Sequence, residues 1–204
     1  AGQRVLAMSD CLWGALDGIN ESGLAASLSF GGRTVSGDGF GIPLVMRYVL
    51  ETASSTASAV AILERMPVHM SYSVTLLDRH SQWATVFLNP DRPVEVTRRK
   101  AVTNVQHEVE WPEHARATRS PERLDALQEV IDSGARAQSV VHALLTEPLY
   151  QPAWQRGYGP LYAAVYAPRS RQAALHWPGE SWVQTLDAFE EGHRDVVFRG
   201  LGHV

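Results

Sequence analysis

A chain of 204 residues can form one domain with a sizeable core, and 45% hydrophobic with 20% charged residues is the make-up of an ordinary globular protein, which excludes bulk disorder. A net charge of -4 excludes a nucleic-acid binder that works by neutralising phosphates, and the one basic run, "TRRK" at 97–100, reads as a solvated strand end. The single cysteine, Cys11, excludes a disulfide framework and points to the cytoplasm, and no apolar run approaches the ~20 residues that span a bilayer, so no membrane partner is expected.

The chain opens on "AGQRVLAMSD", with no initiator Met and no signal peptide, and reads as the interior of something longer. "RVLAM" (4–8) is a short apolar run that suits a buried strand. "CLWGALDG" (11–18) and "GLAASLSF" (23–30) are strands folded over a turn that contains Asn20 and Gly23. The glycine-rich "GGRTVSGDGFG" (31–41) must be a loop. Its "GDGFG" has neither the spacing nor the preceding strand of a dinucleotide fingerprint, and it reads as a flexible surface or lid loop.

Pro43 suits a first helical turn, and apolar spacings of three and four predict a helix over 42–53. A second helix follows from Thr56 and stops at Pro67. Three strands are expected next, "MSYSVTLLD" (70–78), "WATVFLN" (83–89) and "VEVTRRKAVTN" (94–104), joined by the turn-like "RHSQ" and "PDRP". Ser120, Pro121 and Glu122 start a helix that Gly134 stops, and another runs over 136–147 to Pro148. The aromatic and glycine-rich 150–160 is a loop. Strands return at 161–168, 172–179 and 181–188, and residues 188–204 form a loosely attached tail to a single domain covering 1–204. Strands in consecutive hairpins, with helices inserted in pairs, fit an α+β protein of antiparallel sheets under helix layers rather than a parallel α/β sheet.

Chemistry is harder to find. There is no Gly-x-Ser-x-Gly elbow and no phosphate loop. Cys11, beside Leu12 and Trp13, reads as a packed strand residue. "HEVEWPEH" gathers His107, Glu108, Glu110, Glu113 and His114, but Pro112 breaks any shared helix face; a metal hydrolase built there would need a bound metal. Asn104, in "AVTNVQH", has the ordinary chemistry of a strand-end turn. No cofactor is implied.

"LDGINESGLAASLSFGG" (16–32) followed by "GIPLVMRYVLETASSTASAVAILERMP" (41–67) resembles the acyl-CoA:6-aminopenicillanic acid acyltransferase family and, more distantly, is similar to the choloylglycine hydrolases. "VTNVQH" (102–107) resembles that family's Thr-Asn-His strand end, and "GPLYAAVYAPRSRQAALHWPG" (159–179) its late hairpin. The resemblance implies an N-terminal nucleophile hydrolase, an αββα four-layer sandwich of two antiparallel sheets. It implies a cysteine exposed by self-cleavage, whose α-amine acts as base in attack on a linear amide or acyl-thioester. Asn104 would help stabilise the oxyanion. Ser29 matches a pocket residue of the choloylglycine hydrolases, with Phe30 and Tyr72 beside it to bind substrate.

This chain departs from that pattern. Only nineteen residues precede Asn20, too few to hold the nucleophile strand and its neighbour, and Cys11 is not N-terminal. The residue after Asn104 is Val105 where the family has His. The expected partner is therefore an upstream nucleophile-bearing segment of the same precursor, whose strand the hairpin at 16–30 would flank. A homo-oligomer is compatible with this reading, and a non-catalytic binding or assembly module is its alternative.

Overall fold

The computed structural model describes residues 2–154 and 157–198. Strands β1 (Val5–Asp10), β2 (Gly14–Asn20), β3 (Leu24–Phe30), β4 (Tyr72–Asp78), β5 (Trp83–Leu88) and β6 (Glu95–Thr97) form one sheet in chain order, every neighbouring pair antiparallel. Strands β7 (Ala163–Ala167), β8 (Gln172–Trp177) and β9 (Glu180–Thr185) form a second antiparallel sheet. The architecture is the expected α+β sandwich. Among the described residues no helix is long and apolar enough to cross a membrane.

Strand alternation gives the first sheet two unlike faces. Leu24, Ala26, Val74, Leu76, Val86 and Leu88 point to one side and form the core with α1 (Ile42–Thr52) and α2 (Thr56–Leu63). Helix α1 forms where the sequence places Ile42, Val45, Met46, Val49 and Leu50 on one buried face, with Pro43 in its first turn. Asn20 anchors its far end. The fully buried amide donates to the carbonyls of Leu50 (2.9 Å) and Ala53 (2.7 Å) and accepts from Leu24 N–H (2.9 Å). It satisfies carbonyls at the helix end, and Gln3 Nε2 also donates to that of Ala53 at 2.8 Å. Helix α2 starts with a Ser55–Ser58 capping box, and Asp78 accepts from Thr56 N–H at 3.0 Å.

The opposite face is mixed, with Asp17, Ser27, Ser29, Ser73, Thr75 and Thr85 at the alternate positions beside Ile19, Ala25, Leu77 and Phe87. The second sheet lies on this side. Its main polar tie is Asp17, which accepts from Tyr162 Oη (2.7 Å) and from Tyr166 Oη. Burial pushes the Asp17 carboxyl above its usual range, although the two phenols pull it down. An apolar groove of about 190 Å³ runs between β1 and the second sheet, lined by Leu6, Met8, Tyr166, Leu175 and Trp182.

Several expectations are corrected. Cys11 is not a packed strand residue. Residues 11–13 form the turn between β1 and β2, with Cys11 and Leu12 at positive φ (52 and 69), and the thiol is exposed. Asp10 raises its pKa, chiefly through its charge. The hairpin β2–β3 has no open edge for a nucleophile strand, since β1 covers β2 and β4 covers β3. The edges are β1 and β6 in the first sheet and β7 and β9 in the second.

The strand expected over 94–104 is regular only at Glu95–Thr97; beyond it Thr103 and Val105 form an isolated bridge. Pro112, read as a breaker, opens an additional helix, α3 (Pro112–Thr118), because a first-turn proline loses no helix hydrogen bond. Left-handed Arg119 separates it from α4 (Ser120–Asp132), which α5 (Ala137–Leu144) follows. The glycine-rich loop is tied down, with Gly37 N–H on His69 O (2.9 Å) and Phe40 N–H on Pro67 O (2.9 Å). Residues 188–198 carry no regular structure, though Glu190 and Gln184 exchange two hydrogen bonds; 199–204 and 155–156 lie outside the described residues.

Two outcomes follow from this packing. A maleimide should label Cys11 in the native protein at nearly the rate of the urea-unfolded chain, slowed only by the raised thiol pKa; strong protection would contradict the exposed turn. Asp17 has a raised folded pKa, so its contribution is full below its unfolded pKa and is lost as pH rises through the folded value. Urea midpoints of wild type should therefore fall relative to Asp17→Asn as pH increases across that window. Asp17→Ala, which strands two buried hydroxyls, should cost about 1–3 kcal/mol.

Candidate active site

The site lies where β3 ends and β4 begins. The Phe30–Tyr72 pair closes the ladder, and Gly31 N–H extends it onto Ser71 O at 2.8 Å. Two glycines are needed here. A Cβ at Gly31 would sit 1.9 Å from Ser71 Oγ, and one at Gly32, whose φ is +75, would sit 2.1 Å from the Asn104 carbonyl oxygen. The chain can thus press against Asn104 only without side chains.

Arg33 then locks the turn. It is 6% exposed, and its guanidinium donates to Asn89 Oδ1 (2.8 Å), to both Asp91 oxygens (2.7 and 2.8 Å) and to Glu110 Oε2 (2.9 Å). Glu110 also receives both terminal nitrogens of Arg92 at 2.8 Å. The Arg33 guanidinium holds Asp91 below the usual carboxylate range, and Arg92 followed by Arg33 does the same for Glu110. Asn89 accepts from Ser71 Oγ (2.7 Å) and donates to Gln106 (3.0 Å), and Gln106 donates to Tyr72 O (2.9 Å). The irregular segment carrying Asn104 is therefore fastened on one side to β4 and β5. On the other, Thr103 Oγ1 donates to Ser120 O (2.9 Å) at the start of α4.

Phe30 and Tyr72 stand together, as expected, with ring centroids 6.3 Å apart. Two residues that sequence reasoning did not place here complete the cluster. His114 lies 5.2 Å edge-on to Phe30 and stacks on Trp111 at 5.0 Å. Its Nδ1 is buried without a partner, and burial, then the charge of Arg123, lowers its pKa, so the ring is neutral at pH 7. Arg123, on α4, was missed altogether. Its Nε is buried with no partner among the described residues, and one terminal nitrogen is 3.4 Å from Ser120 Oγ. An arginine three residues into a helix looks like surface in sequence, and only the fold reveals that it turns inward.

Asn104 is half-buried, and its side-chain amide makes no hydrogen bond among the described residues. Ser29 is not with Phe30 and Tyr72. Alternation puts it on the opposite face, beside Ser73, whose hydroxyl is buried without a partner. His107 and His114 diverge, since His107 bonds Glu95 at 2.8 Å and packs on Phe87. Among the described residues no three His, Cys, Asp or Glu side chains gather as metal ligands. A cavity of about 340 Å³ with a mixed lining lies behind the Arg33 network, between Arg92, Val94, Glu95, Gln106 and His107. Neither this cavity nor the inter-sheet groove is lined by Asn104, Ser29 or Phe30.

Residues 2–182 match the model of the acyl-coenzyme A:6-aminopenicillanic acid acyl-transferase family. The chain belongs to that family. Its fold is shared with N-terminal nucleophile hydrolases. Penicillin V acylase from Agrobacterium tumefaciens superposes with a TM-score of 0.67 at 15% identity, over 90% of this chain and 69% of the acylase. A mutant of conjugated bile acid hydrolase from Clostridium perfringens gives 0.67 at 8% identity, over 96% and 83%. The Caenorhabditis elegans ortholog of N-acylethanolamine-hydrolyzing acid amidase gives 0.51 at 12%, over 89% and 87%. At such identities these likenesses carry the fold alone. No curated protein sequence matches the chain.

Gly32→Ala should cost about 1–2 kcal/mol from its left-handed backbone alone, and it should also displace Asn104. An unchanged urea midpoint would show that this turn relaxes freely and does not fix Asn104.

Proposed function

We propose that the protein is an amidohydrolase or acyltransferase that acts on a linear amide or acyl-thioester, through a cysteine nucleophile carried upstream of residue 1 and exposed by autoproteolysis. Hydrolysis is favoured over transfer, because nothing in the chain marks a site for a second acceptor. The protein works in the cytoplasm, where its exposed Cys11 stays reduced.

One observation carries this reading. The Gly32 backbone packs against the backbone carbonyl of Asn104, and neither the Asn104 side-chain amide nor the Gly32 N–H has a hydrogen-bond partner among the described residues. Both belong to segments that the Arg33 network holds still. Donors kept rigid and unpaired are what a developing oxyanion requires, because they need no reorganisation when charge appears. In this scheme the upstream cysteine's α-amine takes the thiol proton, and the thiolate attacks the acyl carbonyl. Asn104, with Gly32 N–H, stabilises the tetrahedral oxyanion. Collapse expels the amine or thiol, and water then releases the acyl group from the cysteine as a free acid. Phe30 and Tyr72, with Trp111 and His114, offer an apolar wall to the acyl chain.

In the full-length protein Asn104→Ala should lower turnover by about a hundredfold or more, at ~2.7 kcal/mol or above. Its melting temperature should barely move, because the wild-type side chain makes no hydrogen bond among the described residues. Unchanged turnover would remove Asn104 from the site. N-terminal sequencing of the active form should read cysteine first, and any other residue there would break the nucleophile assignment.

A further inference from the structure

Between β1 and the second sheet the two layers do not close on each other. The groove of about 190 Å³ there is lined by Leu6 and Met8 of β1, by Tyr166, Leu175 and Trp182 of the second sheet, and by Phe189 of the segment that follows β9. Leu6 and Met8 are alternate residues of an edge strand, so both point to one side of it. Leu175 and Trp182 are a cross-strand pair on the facing sheet. All four are only half-buried, which leaves apolar surface in contact with water.

The two ends of the groove differ in charge. Tyr166, one of its walls, gives its hydroxyl to the Asp17 carboxyl, so that end disfavours an anion. The other end lies at β9. Trp182 and Gln184 are alternate residues of that strand and face the same way. The segment after β9 crosses both of them. Glu190 exchanges two hydrogen bonds with Gln184, at 2.7 and 3.1 Å, and the Arg194 guanidinium lies 5.0 Å from the centre of the Trp182 ring. Among the described residues Arg194 makes no ion pair, although Glu190, Glu191 and Asp195 are near it in sequence, and its guanidinium bonds only the adjacent His193 carbonyl at 3.0 Å.

An apolar slot with a cation stacked on one wall selects a ligand with an apolar chain and a single anionic head. A cavity of about 150 Å³ holds a six-carbon ring, so the groove takes a chain of roughly seven or eight carbons. The planar fork of a guanidinium suits the two oxygens of a carboxylate. We propose that this groove binds a medium-chain fatty acid, with the chain between β1 and the second sheet and the carboxylate on Arg194. In the acyl-processing reading above, an acid of this kind is what the reaction releases. Calling the ligand a product rests on that reading; the binding site does not.

The test is calorimetric titration of the full-length protein with butanoate, hexanoate, octanoate and dodecanoate, each below its micelle concentration. Affinity should rise about fourfold per methylene as far as octanoate and level off by dodecanoate, once the groove is full. 1-Octanol should bind about three- to fivefold more weakly than octanoate, the range that an exposed ion pair supports. Arg194→Gln, a change at an exposed side chain, should bring octanoate down to the alcohol and leave the alcohol unchanged. Ala173→Leu, which fills the groove from β8, should weaken both. Failure of octanoate to bind overturns the site, and is the result expected if another segment of the full-length protein fills the groove. A rise that continues unbroken to dodecanoate overturns it as well, because it reports adsorption to general apolar surface. Equal affinity for acid and alcohol, or a preference that Arg194→Gln leaves intact, overturns the fatty-acid assignment. No turnover is involved, so octanoate binding by a protein that hydrolyses no amide keeps the groove and sinks the hydrolase reading, and an active hydrolase that binds no octanoate does the reverse.

Discussion

The placement of the candidate site depends on one buried cation. Arg33 follows directly on the two glycines that let the chain leave β3, and its donors reach the segment after β5 at Asn89 and Asp91 and the segment before α3 at Glu110. These connections have no regular structure of their own, and their relative positions are fixed by Arg33 together with the Arg92–Glu110 pair and the Asn89–Gln106 bond. Asn89 and Gln106 pass the constraint back into the sheet through Ser71 and Tyr72. A buried ion pair is weak evidence of net stability, because desolvation offsets its Coulomb gain. Its role here is positional. Removing both carboxylates would leave the buried guanidinium without a counter-charge, so alternative placements of these loops are disfavoured.

The second constraint is the unlike character of the two faces of the main sheet. The face toward α1 and α2 is closed by aliphatic packing. The face toward the second sheet carries hydroxyls and a carboxyl, and the sheets meet there through Asp17 and the phenols of Tyr162 and Tyr166, with Arg4 donating to Leu186 O at 3.2 Å. Polar groups need specific partners and tolerate water, so this layer stays open to a substrate or another strand in a way that a leucine core would not. The cost is an interior carboxyl whose ionisation opposes burial.

Periodicity and turn chemistry were enough to read most of the frame. The apolar stripe of α1, the hairpin around Gly23 and the late strands are local signals, and local signals survive into the fold. The failures have physical causes. Cys11 and Leu12 occupy left-handed positions where glycine or asparagine would announce a turn, and Leu12 is 85% exposed, so apolar composition misreported them as strand. Residues 98–104 look extended, but Thr85 Oγ1 bonds Arg99 O and draws that segment away from strand pairing. The inward turn of Arg123 depends on where α4 docks after left-handed Arg119, which no window of sequence contains.

The saturation of hydrogen bonds sorts the polar residues that sequence leaves equivalent. Asn20 lies in the more conspicuous motif, yet its amide is fully engaged, with two donated bonds and one accepted, and it has nothing left to offer a substrate. Asn104 looks like an ordinary turn residue, yet its amide makes no hydrogen bond among the described residues, and the segment that carries it is fastened through Thr103 and Gln106. Arg33 and Arg123 divide in the same way, the first matched by acceptors and the second short of them. A folded chain leaves buried donors unpaired only at a cost, and surrounding bonds must hold that arrangement in place. In this protein the matched groups build the frame, while Ser73 Oγ, His114 Nδ1, Arg123 Nε, Gln151 Nε2 and Trp154 Nε1 are among the buried atoms left without partners among the described residues. Hydrogen-bond saturation therefore separates frame from candidate site where residue type alone does not.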